Sequence, residues 1–374
     1  MKVKHLALAV TLALGTVNVA VANDTSSGIR GNVISPAGQV IPNAKVEIVH
    51  VPSGTRSTAL TNESGAFSSM GLRVGGPYSI TITSDQGVKT YNNIYLSLDD
   101  TLRLTAQVEP TQIERIAVTG SSIVTQSVGS NSYFGADDIA NAPSFNRDLK
   151  DIVRNNPLAV LSSKDGELSV AGTNPRFNSI SVDGIGQNDD FGLNANGYPT
   201  TRSPISLEAI DQVTIDVTPF NAKDSGFQGA KINAVTKSGT NEFAGSVFYE
   251  TQNDSLAGTP KNNGNKVPLS FDETTYGATA GGAIVKDKLF YFVSYEFWEA
   301  ETAAEWGPAG SSAPNPTEAN LADYEAVKRI AQEVYGVDAG DWNIAPVTDD
   351  EKLLVKLDWN ITDEHRAAFT YQFS

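Results

Sequence analysis

Residues 352–373 read Lys352-Leu-Leu-Val-Lys-Leu-Asp-Trp-Asn-Ile-Thr-Asp-Glu-His-Arg-Ala-Ala-Phe-Thr-Tyr-Gln-Phe373. On both sides of the segment 360–364, every second residue is apolar or aromatic, and the residues between them are mostly polar. The first set comprises Leu353, Val355, Leu357, Trp359, Ala367, Phe369, Tyr371 and Phe373. Because successive side chains of a β-strand point to opposite faces, this pattern predicts two antiparallel strands, each with one apolar face, joined by a tight turn.

Three earlier segments have the same character, at 242–250, 274–282 and 288–298. The five segments are close to the length of a strand that crosses a bilayer, roughly 9–11 residues. The connections at 285–288 and 360–364 are short, whereas those at 253–272 and 299–350 are long and polar. In outer-membrane barrels the short connections are periplasmic and the long ones extracellular. We therefore predict that residues 241–374 form the first strands of a transmembrane antiparallel β-barrel.

The second long connection contains a candidate helix between Thr317 and Val337. Its apolar residues follow helical spacing, at Leu321, Tyr324, Val327, Ile330 and Val334. A stripe of this kind usually faces a core. We therefore expect this helix to pack against the protein rather than to bind a ligand.

The N-terminus has the features of a secretory signal peptide. Lys2 and Lys4 precede an apolar run from residue 6 to residue 19, and Ala20-Val21-Ala22 supplies small residues at a cleavage site. We predict a cleaved signal at 1–22. No later stretch approaches the roughly 20 apolar residues of a spanning helix, so entry into a membrane requires strands.

Composition argues against one class of partner and one kind of stabilisation. The net charge of −16 argues against a nucleic-acid partner, because phosphates call for basic patches. The sequence has no cysteine, so disulfide bonds cannot stabilise it.

Residues 28–108 predict a small β-domain. Runs with β-branched or aromatic residues on alternate positions lie at 29–33, 45–49, 78–83 and 93–98, separated by Gly, Pro, Ser and Asn. This spacing is typical of an antiparallel sandwich whose strands each bury one face. We place this sandwich at 23–109. His50 is its only histidine and has no ligand cluster around it in the sequence, so no zinc site is predicted.

The same segment resembles a known domain family through ordered motifs. These are Gly31-x-Val33, Gly38-x-x-x-Pro42-x-Ala44-x-Val46 and Thr61-x-x-x-Gly65-x-Phe67. They are similar to the carboxypeptidase regulatory-like domain, which is a transthyretin-like β-sandwich. The resemblance implies a binding or spacer module without a peptidase's catalytic part.

Residues 123–240 mix helical and strand patterns. Apolar spacing at 136–139 and 145–153 predicts a helix that ends at Asn155-Asn-Pro157. Strands are predicted at 167–170, 178–183 and 213–217, with a short helical turn at 205–210. Asp183-Gly184 predicts a hairpin turn. These elements together indicate an α+β domain.

Three motifs in this domain resemble the plug of TonB-dependent receptors. They are Arg176-Phe-Asn178-x-Ile180-x-Val182-Asp183-Gly184, Leu207-Glu-Ala-Ile-Asp-Gln-Val-Thr-Ile215 and Gly229-Ala-Lys-Ile-Asn-Ala-Val-Thr-Lys-Ser-Gly239. Gly281–Phe290 is similar to the start of the barrel in the Oar-like branch, and Thr218–Gly226 departs from the siderophore receptors. The resemblance implies a mainly β, multidomain protein: a transthyretin-like β-sandwich, an α+β plug domain, then the first strands of a transmembrane antiparallel β-barrel.

Residues 110–122 form a linker with one β-prone run. A segment of this kind can add a strand to the edge of a partner's sheet. The run Glu114, Arg115, Ile116, Ala117, Val118, Thr119 and Gly120 is similar to the TonB box. The resemblance implies binding to TonB and its inner-membrane energising complex; a plain linker is the alternative.

The resemblance implies a function as well as a fold. It implies a receptor in the Gram-negative outer membrane that binds an extracellular ligand and imports it with energy delivered by TonB. The plug and the N-terminal domain would face the periplasm, and outer-membrane lipid would surround the barrel. An adhesion, assembly or export protein of the Oar type is the alternative. No cofactor is implied, and siderophore, glycan, peptide and protein all stay open as substrates.

Candidate ligand contacts are Arg176, Asp183, Asp189, Asp190 and Tyr198, together with the 189–198 loop at the plug apex. The spacing of the three aspartates does not fit an EF-hand loop, so no metal site is predicted. An enzyme is not predicted either. After the signal only two histidines remain, His50 and His365, and they lie far apart in the sequence.

The five predicted strands cannot close a barrel, since transporters of this design need about 22. An open sheet edge in lipid leaves backbone groups without partners. We therefore interpret the sequence as a fragment of a longer protein.

Overall fold

The computed structural model describes residues 26–96, 101–108, 131–144, 146–162, 166–217, 228–258, 261–262, 265–266, 271–302, 306–311, 313, 315–343, 346–362 and 365–374. The predicted signal peptide at 1–22 and the predicted TonB box at 114–120 lie outside the described residues.

The first unit, called the sandwich below, spans residues 26–108. Its strands are β1 (Ser27–Ile34), β2 (Lys45–His50), β3 (Thr55–Leu60), β4 (Ala66–Leu72), β5 (Gly75–Ser84), β6 (Gly87–Leu96) and β7 (Thr101–Gln107). One sheet has the order β4-β1-β7 and the other β3-β2-β5-β6. Alternation sets the faces: in β2, Val46 and Ile48 are buried whereas Lys45 is exposed. The buried residues form one core between the two sheets. The two-sheet sandwich is as predicted, but it is not wholly antiparallel as expected, because β1 and β7 pair in parallel.

The second unit, called the central domain, spans residues 131–239. Its strands are β8 (Asn131–Phe134), β9 (Ala159–Leu161), β10 (Leu168–Val170), β11 (Ser179–Val182), β12 (Ile185–Gly186), β13 (Ile210–Asp216) and β14 (Lys231–Thr236). Five of them form a mixed sheet in the order β12-β11-β14-β13-β8. The three predicted strands and the turn at Asp183-Gly184 are present. Both turn residues have positive φ, as a type I′ turn requires.

The predicted helix of the central domain is two short helices instead, α1 (Ala136–Asn141) and α2 (Leu149–Val153). Pro143 disfavours helical backbone at the residue before it, which separates them. Asp148 then caps the second helix by accepting a hydrogen bond from the Lys150 backbone N–H at 2.9 Å. The predicted turn at 205–210 is a 3-10 helix at Leu207–Ala209.

The third unit begins at Ala244. Its strands are β15 (Ala244–Asn253), β16 (Lys261–Asn262), β17 (Asn265–Lys266), β18 (Phe271–Val285), β19 (Leu289–Thr302), β20 (Trp306–Ala309), β21 (Asn315–Asn320), β22 (Val347–Asn360) and β23 (Arg366–Phe373). The five long strands form one antiparallel sheet in the order β15-β18-β19-β22-β23, called the wall below. All five predicted strands are present, and four of them extend further toward the long connections than the sequence pattern indicated.

The wall has a buried face and an exposed face. Along β19, Phe290, Phe292, Ser294 and Glu296 are buried, whereas the residues between them are only partly buried. Phe292 and Leu354 belong to the same core cluster as the central domain. The central domain therefore packs against this inner face. We call the edge with the short connections the turn end, and the opposite edge the loop end.

The predicted helix at the loop end is α3 (Leu321–Tyr335). Asn320 caps its start by accepting from the Asp323 backbone N–H at 2.8 Å, and Gly336 ends it in the left-handed conformation. The expectation that its apolar stripe packs into a core is wrong. No residue of α3 is buried, because no described element covers that side. Within the ranges described, no helix is both long and apolar enough to span a membrane.

Candidate functional site

A buried acidic residue connects the wall to the central domain. Glu296, on β19, has no exposed surface. One carboxylate oxygen accepts from Lys352 Nζ of the neighbouring strand β22 at 2.7 Å. The other accepts from Ser206 Oγ of the central domain at 2.6 Å. Because a buried carboxylate is costly without partners, this position depends on both neighbours.

Arg147 extends the same cluster from the central-domain side. Its guanidinium lies 2.8 Å from Glu208, 3.8 Å from Glu250 and 3.8 Å from Glu296. It also stacks over the Phe248 ring at 3.8 Å, in cation–π geometry. Its backbone φ is +52°, a conformation that non-glycine residues rarely adopt. One arginine thus contacts three carboxylates and a ring, and two of those carboxylates belong to the wall.

A second polar contact lies nearer the turn end. Asp183 accepts hydrogen bonds from the Thr236 backbone N–H at 3.0 Å and from Thr236 Oγ1 at 2.6 Å. Lys356, on β22, donates to Thr236 Oγ1 at 2.9 Å and lies 3.3 Å from Asp183. Asp183 therefore joins the central domain to the wall.

The five sequence-predicted ligand residues separate into two places. Asp183 follows β11 at its turn-end side, whereas Arg176, Asp189, Asp190 and Tyr198 gather near the opposite side of that strand. The five residue steps from Asn178 to Asp183 correspond to about 16 Å of strand. Asp183 thus does not lie at the apex where the sequence placed it, since the Asp-Gly turn directs it toward Lys356.

Asp189 organises the apex loop. Its carboxylate accepts from the backbone N–H of Asn194 at 2.7 Å and of Phe191 at 3.1 Å. These hydrogen bonds, that from Asn194 foremost, lower the pKa of the Asp189 carboxyl. Arg176 donates to the Gly192 carbonyl at 2.6 Å from outside the loop. Both residues hold the loop in shape, Arg176 and Asp190 are exposed, and Asp189 is partly exposed.

Tyr198 lies inside the domain. Only 1% of it is exposed, and its hydroxyl donates to Asp148 at 2.8 Å. The ammonium of Lys150 sits 4.0 Å from its ring and donates to the Asn196 carbonyl. Burial lowers the pKa of Lys150. Tyr198 therefore supports the loop from beneath, and in this structure its ring is not accessible to a ligand.

The apex loop carries two residues that the sequence reasoning did not single out. Phe191 and Leu193 are 88% and 83% exposed. Large apolar residues exposed side by side on an ordered loop are uncommon on a soluble surface and often mark a binding position. The signal available in the sequence was an aromatic residue directly after two aspartates, Asp189 and Asp190.

The outer face of the wall is apolar and exposed. Val247 is 85% exposed, and the aromatic residues of β23 are about half exposed. The exposed members of this face include Val247, Tyr249, Tyr276, Leu357, Trp359, Phe369, Tyr371 and Phe373. An apolar outer face opposite a polar, charged inner face is the arrangement of a transmembrane barrel strand.

No group of three or more His, Asp or Glu residues in the described ranges is placed to hold a metal ion. The charged residues Arg147, Glu296, Asp183 and Lys356 form contacts between the central domain and the wall.

Comparison with known proteins gives two domain matches. Residues 28–109 match the carboxypeptidase regulatory-like domain, and residues 235–330 match an outer membrane beta barrel domain. The TonB-dependent transporter Oar of Myxococcus xanthus is 36% identical over 135 residues, which is 34% of this chain and 12% of that protein. The probable TonB-dependent siderophore receptor PirA of Acinetobacter baumannii is 30% identical over 211 residues, or 52% of this chain and 26% of that protein.

The crystal structure of PirA from A. baumannii covers 67% of this chain and 32% of its own, with 20% identity and a TM-score of 0.44. The chain spans about a quarter or less of the length of the two sequence relatives. The domain matches and these relatives confirm the predicted resemblance to TonB-dependent receptors with an N-terminal carboxypeptidase regulatory-like domain.

Proposed function

We propose that this chain, a relative of TonB-dependent receptors, contributes the periplasmic sandwich, the plug and the first barrel strands of an outer-membrane receptor that imports an extracellular ligand. The observation that carries the proposal is the two-faced wall. Its outer face exposes apolar and aromatic side chains. On its inner face, Glu296 and Lys356 contact the central domain, and Lys352 pairs with Glu296. Lipid is the partner that fits the outer face.

The central domain then has the position of a plug. Its contacts with the wall combine two buried apolar residues, Phe292 and Leu354, with ionic and hydrogen-bonded groups. A polar contact of this kind can exchange its partners for water at modest cost, whereas a large apolar contact cannot. We infer that the central domain is held firmly at rest and can still rearrange during transport.

We propose that the loop end faces the cell exterior and receives the ligand. The apex loop is ordered by Asp189 and Arg176 and presents Phe191 and Leu193 outward. Arg176 and Asp190 remain candidates for polar ligand contacts beside them. Asp183 and Tyr198 act in support, through Lys356 and Asp148 respectively.

Energy would reach the plug through residues 114–120, between the sandwich and the central domain. The experiment that tests this uses engineered cysteines, since the chain has none of its own. Ile116→Cys and Val118→Cys, each paired with a cysteine in TonB, should crosslink in cells, because added strands are recognised through alternate side chains. Thr125→Cys, three residues beyond the linker, is the matched control. Equal crosslinking at 116, 118 and 125, or none at any of them, would refute the assignment of this segment to TonB.

A further inference from the structure

The sandwich is docked on the turn end of the wall through polar contacts. Asn360, the last residue of β22, donates from its amide to Thr55 Oγ1 of the sandwich at 2.7 Å and to the Asp287 carbonyl at 2.9 Å. The backbone N–H of Asn241 donates to the Pro52 carbonyl at 3.0 Å. Asn360 of the wall and Asn241, just before the wall begins, thus contact one corner of the sandwich.

The contact is continuous with a buried polar chain inside the sandwich. His50 Nδ1 lies 2.7 Å from Ser53 Oγ, which lies 2.7 Å from Thr55 Oγ1. His50, Ser53, Thr55 and Asn360 are all buried. Burial foremost, with the nearby Arg73 charge, lowers the pKa of His50 to about 3, so the ring is neutral in this chain. The docked corner is therefore connected by hydrogen bonds without a buried charge on the histidine.

The fit at this corner is close. Gly54 adopts a φ of +65°, and a Cβ at that position would lie 2.2 Å from an Asp287 carboxylate oxygen. Two further contacts lie beside it: Arg366 donates to the Gly71 carbonyl at 3.0 Å, and Arg73 lies 3.9 Å from Asp358. Val74 of the sandwich and Val235 of the central domain form one small apolar cluster. The sandwich thus contacts both the wall and the central domain.

A cavity lies where these three units meet. Its volume is about 550 Å³. The sandwich lines it with His50 and Arg73, the central domain with Asp183 and Lys237, and the wall with Lys356. Charged groups of both signs face it, so it suits water and polar solutes rather than an apolar ligand.

From this geometry we propose that the sandwich closes the periplasmic mouth of the gap between the central domain and the wall, and undocks to let a polar solute leave. This inference rests on the proposed function, which places the turn end of the wall on the periplasmic side. The contacts favour a reversible closure. They are hydrogen bonds and ion pairs with one small apolar cluster, and their donors and acceptors can be satisfied by water after separation.

The test measures access to the cavity from the periplasmic side. Ser238 lines the cavity and is partly buried, and Ser238→Cys provides a single reporter thiol in a chain without cysteine. Its reaction rate with a cationic methanethiosulfonate reagent is followed in outer-membrane fragments. We expect Asn360→Ala/Arg366→Ala to raise the rate at least tenfold. Arg103→Ala, on an exposed arginine of the sandwich, is the matched control and should leave it unchanged. Equal rates in all three proteins would overturn the proposal.

A second measurement tests docking without relying on loosened variants. Thr55→Cys/Asn360→Cys should form a crosslink under oxidation, because the two side chains are in direct contact. Cleavage of the crosslink by a reductant should restore the mobility of the reduced band. Failure to crosslink would also overturn the proposal. Neither measurement involves TonB, so a failed closure and a failed assignment of residues 114–120 give different results.

Discussion

Replacing Glu296 by Gln is the sharpest test of how the central domain is held. Glu296 is the buried carboxylate between Lys352, Ser206 and Arg147. The substitution keeps the shape and removes the charge. Removing one partner of a buried ion pair costs about 3–5 kcal/mol. Lys352 keeps Asp350 at 3.2 Å and Arg147 keeps Glu208 at 2.8 Å. Because these pairs remain, we expect a smaller loss, about 2–3 kcal/mol.

The loss is measured by urea unfolding of the purified protein in detergent. Ala234, which has no exposed surface in the central-domain core, is replaced by Cys, and thiol reactivity reports when that core opens. With a urea dependence of about 1–3 kcal/mol per molar, Glu296→Gln should lower the midpoint by about 1–3 M. The matched control is Glu299→Gln, on the same strand and exposed, which should leave the midpoint unchanged.

A double-mutant cycle identifies the source of the loss. Glu296→Gln leaves the Lys352 ammonium without its main partner, and Lys352→Met removes that unpaired charge. The double variant should therefore lose at least about 1 kcal/mol less than the sum of the two single losses. If the two losses simply add, the buried pair does not hold the central domain, and the reasoning is refuted.

Two further predictions follow from the wall and the apex loop. Phe369→Arg places a charge on the lipid face, which costs about 2–4 kcal/mol of folding free energy near the bilayer midplane, and it should lower the folded fraction in lipid vesicles. The control Ala368→Arg, on the other face of β23, should lower the folded fraction much less. Equal losses in the two variants would contradict the assignment of faces. Asp189→Ala should increase protease cleavage within 189–198, because the loop loses the acceptor for two backbone N–H groups. Because folding lowers the pKa of Asp189, the carboxylate should stabilise the loop fully at pH values above its ordinary pKa of 3.8, and this stabilisation should be lost as the pH falls below 3.8. Cleavage of the loop by an acid-active protease should therefore increase below pH 3.8. Cleavage that stays constant there would contradict this role.

The strand pattern was predictable because it is local. In residues 352–359 the alternation of apolar and polar residues indicates which face of the sheet each side chain lies on. The register of β22 with β23 follows from the turn between them. The break between α1 and α2 was missed because the apolar spacing outweighed Pro143 and the capping residue Asp148 in the interpretation. Both signals are present in the sequence.

The contacts of the candidate site were not predictable in the same way. Arg147 and Glu296 lie far apart in the chain, and no spacing rule connects an arginine in a loop to a carboxylate on a strand. The sequence interpretation grouped Asp183 with Arg176 and the 189–198 loop at the apex. The hairpin turn reverses the chain between Asp183 and Asp189, so nearby sequence positions lie at opposite ends of one strand.

The parallel pairing of β1 with β7 has a mechanical consequence. The two strands share seven register pairs, from Gly28 with Thr101 to Ile34 with Gln107. A tension applied to the chain beyond Val108 acts along the axis of β7, so the hydrogen bonds to β1 are loaded together in shear rather than opened one at a time. β8, the first strand on the other side of the linker, has only four register pairs, all with β13. The two ends of the linker therefore differ in strength, and under the same load β8 should detach while the sandwich stays folded.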